Sequence, residues 1–417
     1  MKRLLGWLSA RARVLAGVAA LVCVLVMTAP APGQMFGGGM GGFMPDLVTR
    51  RGVTAYCTLL KMDDDQRETA MVLFETTRGD YRATMEKFQR EMERIAADAR
   101  DSQDWQKMQD EMMPAAERMQ AAVSALEKRF FDDLRSILTD EQAANWERVE
   151  RYRRREMMLR FALVSGAGAD LIQIVERGKL APEGNSEFAA AFLQYELDMD
   201  VPLREMEAMQ REQQAKQGEQ MKRWRENPMA AMQDMNTLME RANGLAKKVR
   251  GINRDYVRRL GALMSEASRE ALETEFAKRS FPRVYRESHA SRVLRTALGF
   301  GDLTEEQRDR LRTLQEQYTR DLAAANRRWA KAIEDEEESM GGAVGRMMRG
   351  FEGGGGQDSE ERKARQARRE LDDRTLERAE AVLSESQKDR LPKPERVQNE
   401  PWMDMMPSPE DLKDDEE

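Results

Sequence analysis

The sequence has 417 residues, of which 34% are charged and only 6% aromatic, with a net charge of −7. Ordinary globular chains carry about 25% charged residues, so this composition excludes a thick hydrophobic core. Acidic and basic side chains are mixed along every segment, which leaves no nucleic-acid-binding face.

Residues 1–33 read as a signal peptide. Lys2, Arg3, Arg11 and Arg13 precede an apolar run from Val14 to Met27, shorter than the roughly 20 residues that a bilayer-spanning helix needs. Ala31 and Gly33 offer small residues before a cut ahead of Gln34, while the long arginine-rich start leaves a retained signal anchor as the alternative. Val22 is too large for a lipoprotein box ahead of Cys23. Cleavage leaves 64 basic against 75 acidic residues, a net of −11, and Cys57 as the one cysteine, so no intramolecular disulfide can form. Tyr56, Leu59 and Leu60 around Cys57 predict its burial. The expectation is an exported chain, periplasmic or extracellular, with no stable membrane span after cleavage.

Residues 34–45 form a glycine-rich linker. From Asp46 onward one short word recurs: "MDDDQ" at 62–66, "LTDEQ" at 138–142, "LMSEAS" at 263–268, "LTEEQ" at 303–307 and "LSESQ" at 383–387. Words that open a stretch (Met62, Leu180, Leu303) and words that close one (Leu138, Leu263, Leu383) each step by roughly 120 residues. Leu180 to Tyr195 and Leu303 to Tyr318 are both 15 residues apart. The reading is an elongated all-α chain of three tandem, antiparallel, coiled-coil-like hairpins, at 46–165, 166–289 and 290–391, joined by short helices.

Outgoing helices are predicted over 63–99, 186–226 and 304–340, and return helices over 104–138, 228–264 and 359–383. The apolar residues Met235, Leu238, Ala242, Leu245, Val249 and Ile252 keep steps of three and four, the seam of a helix pair. Asn227 before Pro228 marks a helix start, whereas Pro114 and Pro202 predict a kink or a restart. Short amphipathic segments at 46–60, 170–178 and 290–301 are expected to pack one hairpin base against the next. Residues 392–417 carry five prolines and an acidic end and read as a disordered tail. Exposed seams would also allow a homo-oligomer.

Each word fits a capping box, in which a hydroxyl accepts from the third helical N–H and a Gln reaches back. The pairs are Thr139 with Gln142, Thr304 with Gln307 and Ser384 with Gln387, with Asp63 and Gln66 as a variant. That role needs no ligand.

Candidate chemistry is sparse. His289 is the single histidine, and HExxH, CxxC, GxSxG and P-loop patterns are absent, so the expectation is no enzyme, no cofactor and no metal. Thirty methionines are the compositional oddity. Met108, Met112, Met119, Met229, Met232, Met235 and Met239 lie on return helices, where thioethers can fill gaps or offer an adaptable surface to client chains. Capture of Cu(I) by soft sulfur is a third reading.

The export signal, the charged Met-rich helices and the words Leu138–Gln142, Leu303–Gln307 and Leu383–Gln387 resemble those of Spy/CpxP-type periplasmic LTxxQ-motif proteins. That resemblance implies an all-helical chaperone or envelope-stress protein with a protein partner or unfolded client. The alternative is a structural or scaffolding envelope protein that binds one specific partner.

Overall fold

A computed structural model describes residues 48–102, 104–160, 164–340 and 359–393. The expectations for residues 1–33, 34–45 and 394–417 lie outside the described residues. Helices are the sole regular structure among the described residues, as an all-α chain requires. In order they are α1 (Arg50–Leu59), α2 (Asp64–Ser102), α3 (Trp105–Ser136), α4 (Asp140–Ala143), α5 (Trp146–Leu159), α6 (Leu171–Gly178) and α7 (Ser186–Glu226). There follow α8 (Pro228–Gly261), α9 (Glu266–Ser280), α10 (Pro282–Tyr285), α11 (His289–Leu298), α12 (Glu305–Met340), α13 (Glu360–Val382) and α14 (Glu385–Lys388).

Local chemistry sets these bounds. Asn227 accepts from the backbone N–H of Ala230 with Pro228 in the first helical position, so one residue ends α7 and starts α8. Asn185 caps α7 and Ser359 caps α13 in the same way. Pro114 and Pro202 lie inside continuous helices, so neither restarts its helix. Each removes one backbone donor, and long flanking runs of good helix formers carry the helix past it.

Three sequential helix pairs pack together: α2 with α3, α7 with α8, and α12 with α13. Each pair is antiparallel, because the start of one helix meets the end of the next. Gln66 reaches Ile137, and Gln307 reaches Val382. Arg223 near the end of α7 pairs with Asp234 near the start of α8 at 2.9 Å.

The chain divides into two compact units, the first ending at Glu156 and the second beginning at Met157. The first predicted hairpin gives most of the first unit, while the second and third fall together in the second. In the first unit Tyr56, Cys57, Phe74, Phe130, Leu134, Val149 and Tyr152 form the core, with Tyr56 edge-on to Tyr152 at 5.6 Å. A smaller cluster of Phe88, Met92, Ile95, Ala115 and Met119 fills the seam farther along α2 and α3.

The second unit has a specific joint between its helix pairs. Glu337 of α12 is fully buried and accepts from the Ser165 backbone N–H at 3.1 Å, the Ser165 hydroxyl at 2.8 Å and Arg250 of α8 at 3.2 Å. Lys247 pairs with Glu338 at 3.1 Å, and Arg254 pairs with Glu334. A buried carboxylate is tolerated only when its lone pairs are met in this manner.

Five helices, α4, α5, α9, α10 and α14, were not assigned from the sequence, and α5 and α9 are the long ones among them. Both follow words read as closing a return segment. The structure has those words open the next helix as well: Thr139 caps α4, just ahead of α5, and Ser265 accepts from Ser268 at the start of α9.

Candidate interaction surface

Every recurring word forms a cap, and three of the four Gln-containing words were expected to do so in full. At 304–307 the Thr304 hydroxyl accepts from the Gln307 N–H at 3.1 Å, and Gln307 accepts from the Thr304 N–H at 3.0 Å. Both halves of the box are likewise present for Thr139 with Gln142 and for Ser384 with Gln387. Asp63 and Gln66 close theirs at 2.8 and 3.1 Å.

The glutamines also do something that a capping box does not require. The amide of Gln66 donates to Gln142 Oε1 at 2.9 Å, and the amide of Gln142 donates back to Gln66 Oε1 at 2.8 Å. Each amide also donates to a backbone carbonyl across the pair, Ile137 for Gln66 and Lys61 for Gln142. Gln307 donates to Gln387 at 3.1 Å and to the Val382 carbonyl at 2.9 Å, while Gln387 donates to the Asp302 carbonyl at 3.2 Å. The opening and closing words therefore clasp the base of the α2–α3 pair and of the α12–α13 pair. Arg390 adds two bonds to Asp302 at 2.7 and 2.6 Å, and this guanidinium holds the Asp302 carboxyl below its usual range.

The α7–α8 pair has Ser268 where the glutamine would stand and lacks this clasp. A buried network replaces it. The Tyr195 hydroxyl donates to Asn253 at 2.8 Å and accepts from the Leu171 N–H at 3.2 Å, and Asn253 donates to the Gly166 and Ala169 carbonyls. Gly166 has φ +81, a backbone conformation that residues with a side chain rarely adopt, so a substitution there would be strained. Asn253 thus holds the turn at residues 166–170 as a packed corner.

The methionines singled out in sequence divide by burial. Met119 and Met239 are buried, and Met108, Met112 and Met119 pack in one cluster with Phe88 and Ile95. Thus the first-pair methionines serve as gap fillers, and Met119 and Met239 present no surface to a client. Met232 and Met235 are half-buried, whereas Met229 is 77% exposed. Cys57 is buried as expected, and burial raises its thiol pKa. Among the described residues, no group of His, Cys, Asp or Glu is arranged to hold a metal ion. No described helix is long and apolar enough to cross a membrane.

Exposed large apolar residues that stand in register lie elsewhere, whereas Val72, Met157 and Met229 are exposed singly. On α7 the side chains of Leu193, Leu197 and Val201 are 49%, 40% and 61% exposed. Four-residue spacing stacks them on one helix face. The opposite face of the same helix supplies Phe188, Tyr195, Met199 and Leu203 to the core. A helix with apolar residues on both faces cannot satisfy both within one helix pair, and here the second face is left in solvent. Sequence reasoning missed it because a single period does not choose between two apolar stripes.

Family models, curated proteins and solved structures provide no match to this chain.

Proposed function

We propose that this chain is an exported, non-enzymatic helical protein that holds non-native client chains against the outer face of α7, as a chaperone-like protein of the Spy/CpxP type would. The observation that carries the reading is the stripe of Leu193, Leu197 and Val201, three large apolar side chains exposed in register on one helix. Contiguous exposed apolar surface on an otherwise charged protein marks an interaction site. The surrounding surface is dense in paired charge, such as Arg204 with Asp200 and Arg211 with Glu207, which would keep a loaded complex in solution. The capping words and their export-signal context support the family likeness, and the methionines contribute chiefly through packing.

The test is light scattering from a reduced, aggregating model client with and without the purified chain. Suppression of scattering at a few-fold molar excess supports the reading, and full aggregation at that excess removes it.

A further inference from the structure

The second unit divides at a single residue. Phe281 is the last residue bonded into α9, its N–H donating to the Ala277 carbonyl at 2.9 Å, and its own carbonyl starts α10 by accepting from the Tyr285 N–H at 3.1 Å. Pro282 has no N–H to bond back across the step, and Phe281 makes no side-chain cap. The angle between α9 and α10 therefore rests on the φ and ψ of Phe281.

The apolar clusters part at the same place. Leu272 and Phe276 of α9 pack into the core that holds Val249 and Leu260 of α8. Phe281, Val284 and Tyr285 pack instead with Trp329 and Ile333 of α12. Among the described residues, no buried apolar cluster of the unit draws on both sides of this step. Polar contacts cross it. Lys247, Arg250 and Arg254, on one face of α8, meet Glu338, Glu337 and Glu334 of α12, and Glu337 also holds Ser165.

We propose that the second unit opens at Phe281 as two bodies, α6–α9 and α10–α14, with this set of ion pairs as the latch. Opening exposes charged side chains and leaves each apolar core closed, so it costs less than unfolding either body. Closing strips water from the Arg250 and Glu337 side chains, which are 4% and 0% exposed, and that desolvation offsets much of their attraction. The outer pairs, Lys247 with Glu338 and Arg254 with Glu334, are partly exposed and so open to screening. Charge thereby sets the balance between closed and open. The inference does not depend on α7 as a client-binding face.

Nitroxide pairs in the full chain, read by double electron–electron resonance, test it. Cys23→Ser removes one native thiol, and Cys57 is buried. The pair Thr237→Cys/Ala323→Cys spans the two bodies, and the pair Gln194→Cys/Thr237→Cys lies within the first; all three positions are exposed. With the native latch each pair should give one narrow distance. Glu334→Gln/Glu337→Gln/Glu338→Gln, which keeps the side-chain shapes and removes the charges, should give the spanning pair a second, displaced distance and leave the internal pair unchanged. A spanning distance that the variant leaves unmoved overturns the inference. So does broadening of both pairs together, which would mean that the unit unfolds as one body.

Discussion

Gln66 and Gln142, 76 positions apart in sequence, face each other so that each side-chain amide donates to the carbonyl oxygen of the other, at 2.9 and 2.8 Å. Each oxygen also accepts from the backbone N–H of its own cap, Asp63 for Gln66 and Thr139 for Gln142. A motif that looks like helix punctuation thus becomes a tertiary clasp.

Replacing one glutamine should cost more than a cap. Gln142→Ala removes half of its capping box and leaves Gln66 without its reciprocal partner, so a loss of about 1–3 kcal/mol is expected in urea unfolding. The double variant Gln66→Ala/Gln142→Ala should fall short of the sum of the singles, because the two residues share their bonds. Strict additivity would mean that the clasp contributes nothing.

The Arg250–Glu337 joint is the second test. Glu337→Ala leaves Arg250 buried without its innermost carboxylate and Ser165 without its acceptor, which should destabilise the second unit by about 3–5 kcal/mol. The paired change Arg250→Met/Glu337→Leu should recover most of that loss, since both charges leave the interior together. A mild effect from the single change would place this pair in solvent.

Alkaline pH should weaken the chain through two tyrosines. Burial, with a further contribution from an accepting carboxylate, pushes Tyr318 beside Asp372 and Tyr256 beside Asp198 up to about 12. Their folded values exceed the unfolded value of 10.0, so the stability they lend is whole below pH 10 and drains away as the pH climbs toward 12. Thermal melts across that window should show a falling midpoint, and Tyr318→Phe/Tyr256→Phe should flatten the fall. Ultraviolet titration should find two phenols that ionise late.

Cys57 should resist alkylation in the native chain and react readily in denaturant. Burial raises its pKa, which lowers the thiolate fraction, and its 2% exposure blocks access. Rapid native modification would show that the first-unit core opens.

Much of the helical layout was legible from residues that act locally. The Asn227–Pro228 step fixed one helix start, the starts predicted at 186 and 359 fall within a residue of those observed, and the burial of Cys57 followed from its apolar neighbours. What escaped depends on distance in the chain. Gln142 announces a cap three residues away but nothing about Gln66, and Glu337 is one acid in a run of five until the fold puts Arg250 and Ser165 beside it. Methionine content drew attention to α3 and α8, yet Met119 and Met239 are packed inward. The open face belongs to α7, whose two apolar stripes blur each other's period.

That face carries the functional account, and one comparison tests it most directly. Client aggregation is followed in the presence of the native chain and of Leu193→Gln/Leu197→Gln/Val201→Gln, with melting midpoints measured alongside. All three side chains are exposed, so the variant should melt within a few degrees of the native chain and lose its protection. Undiminished protection by a folded variant would contradict the assignment of α7 as the binding face.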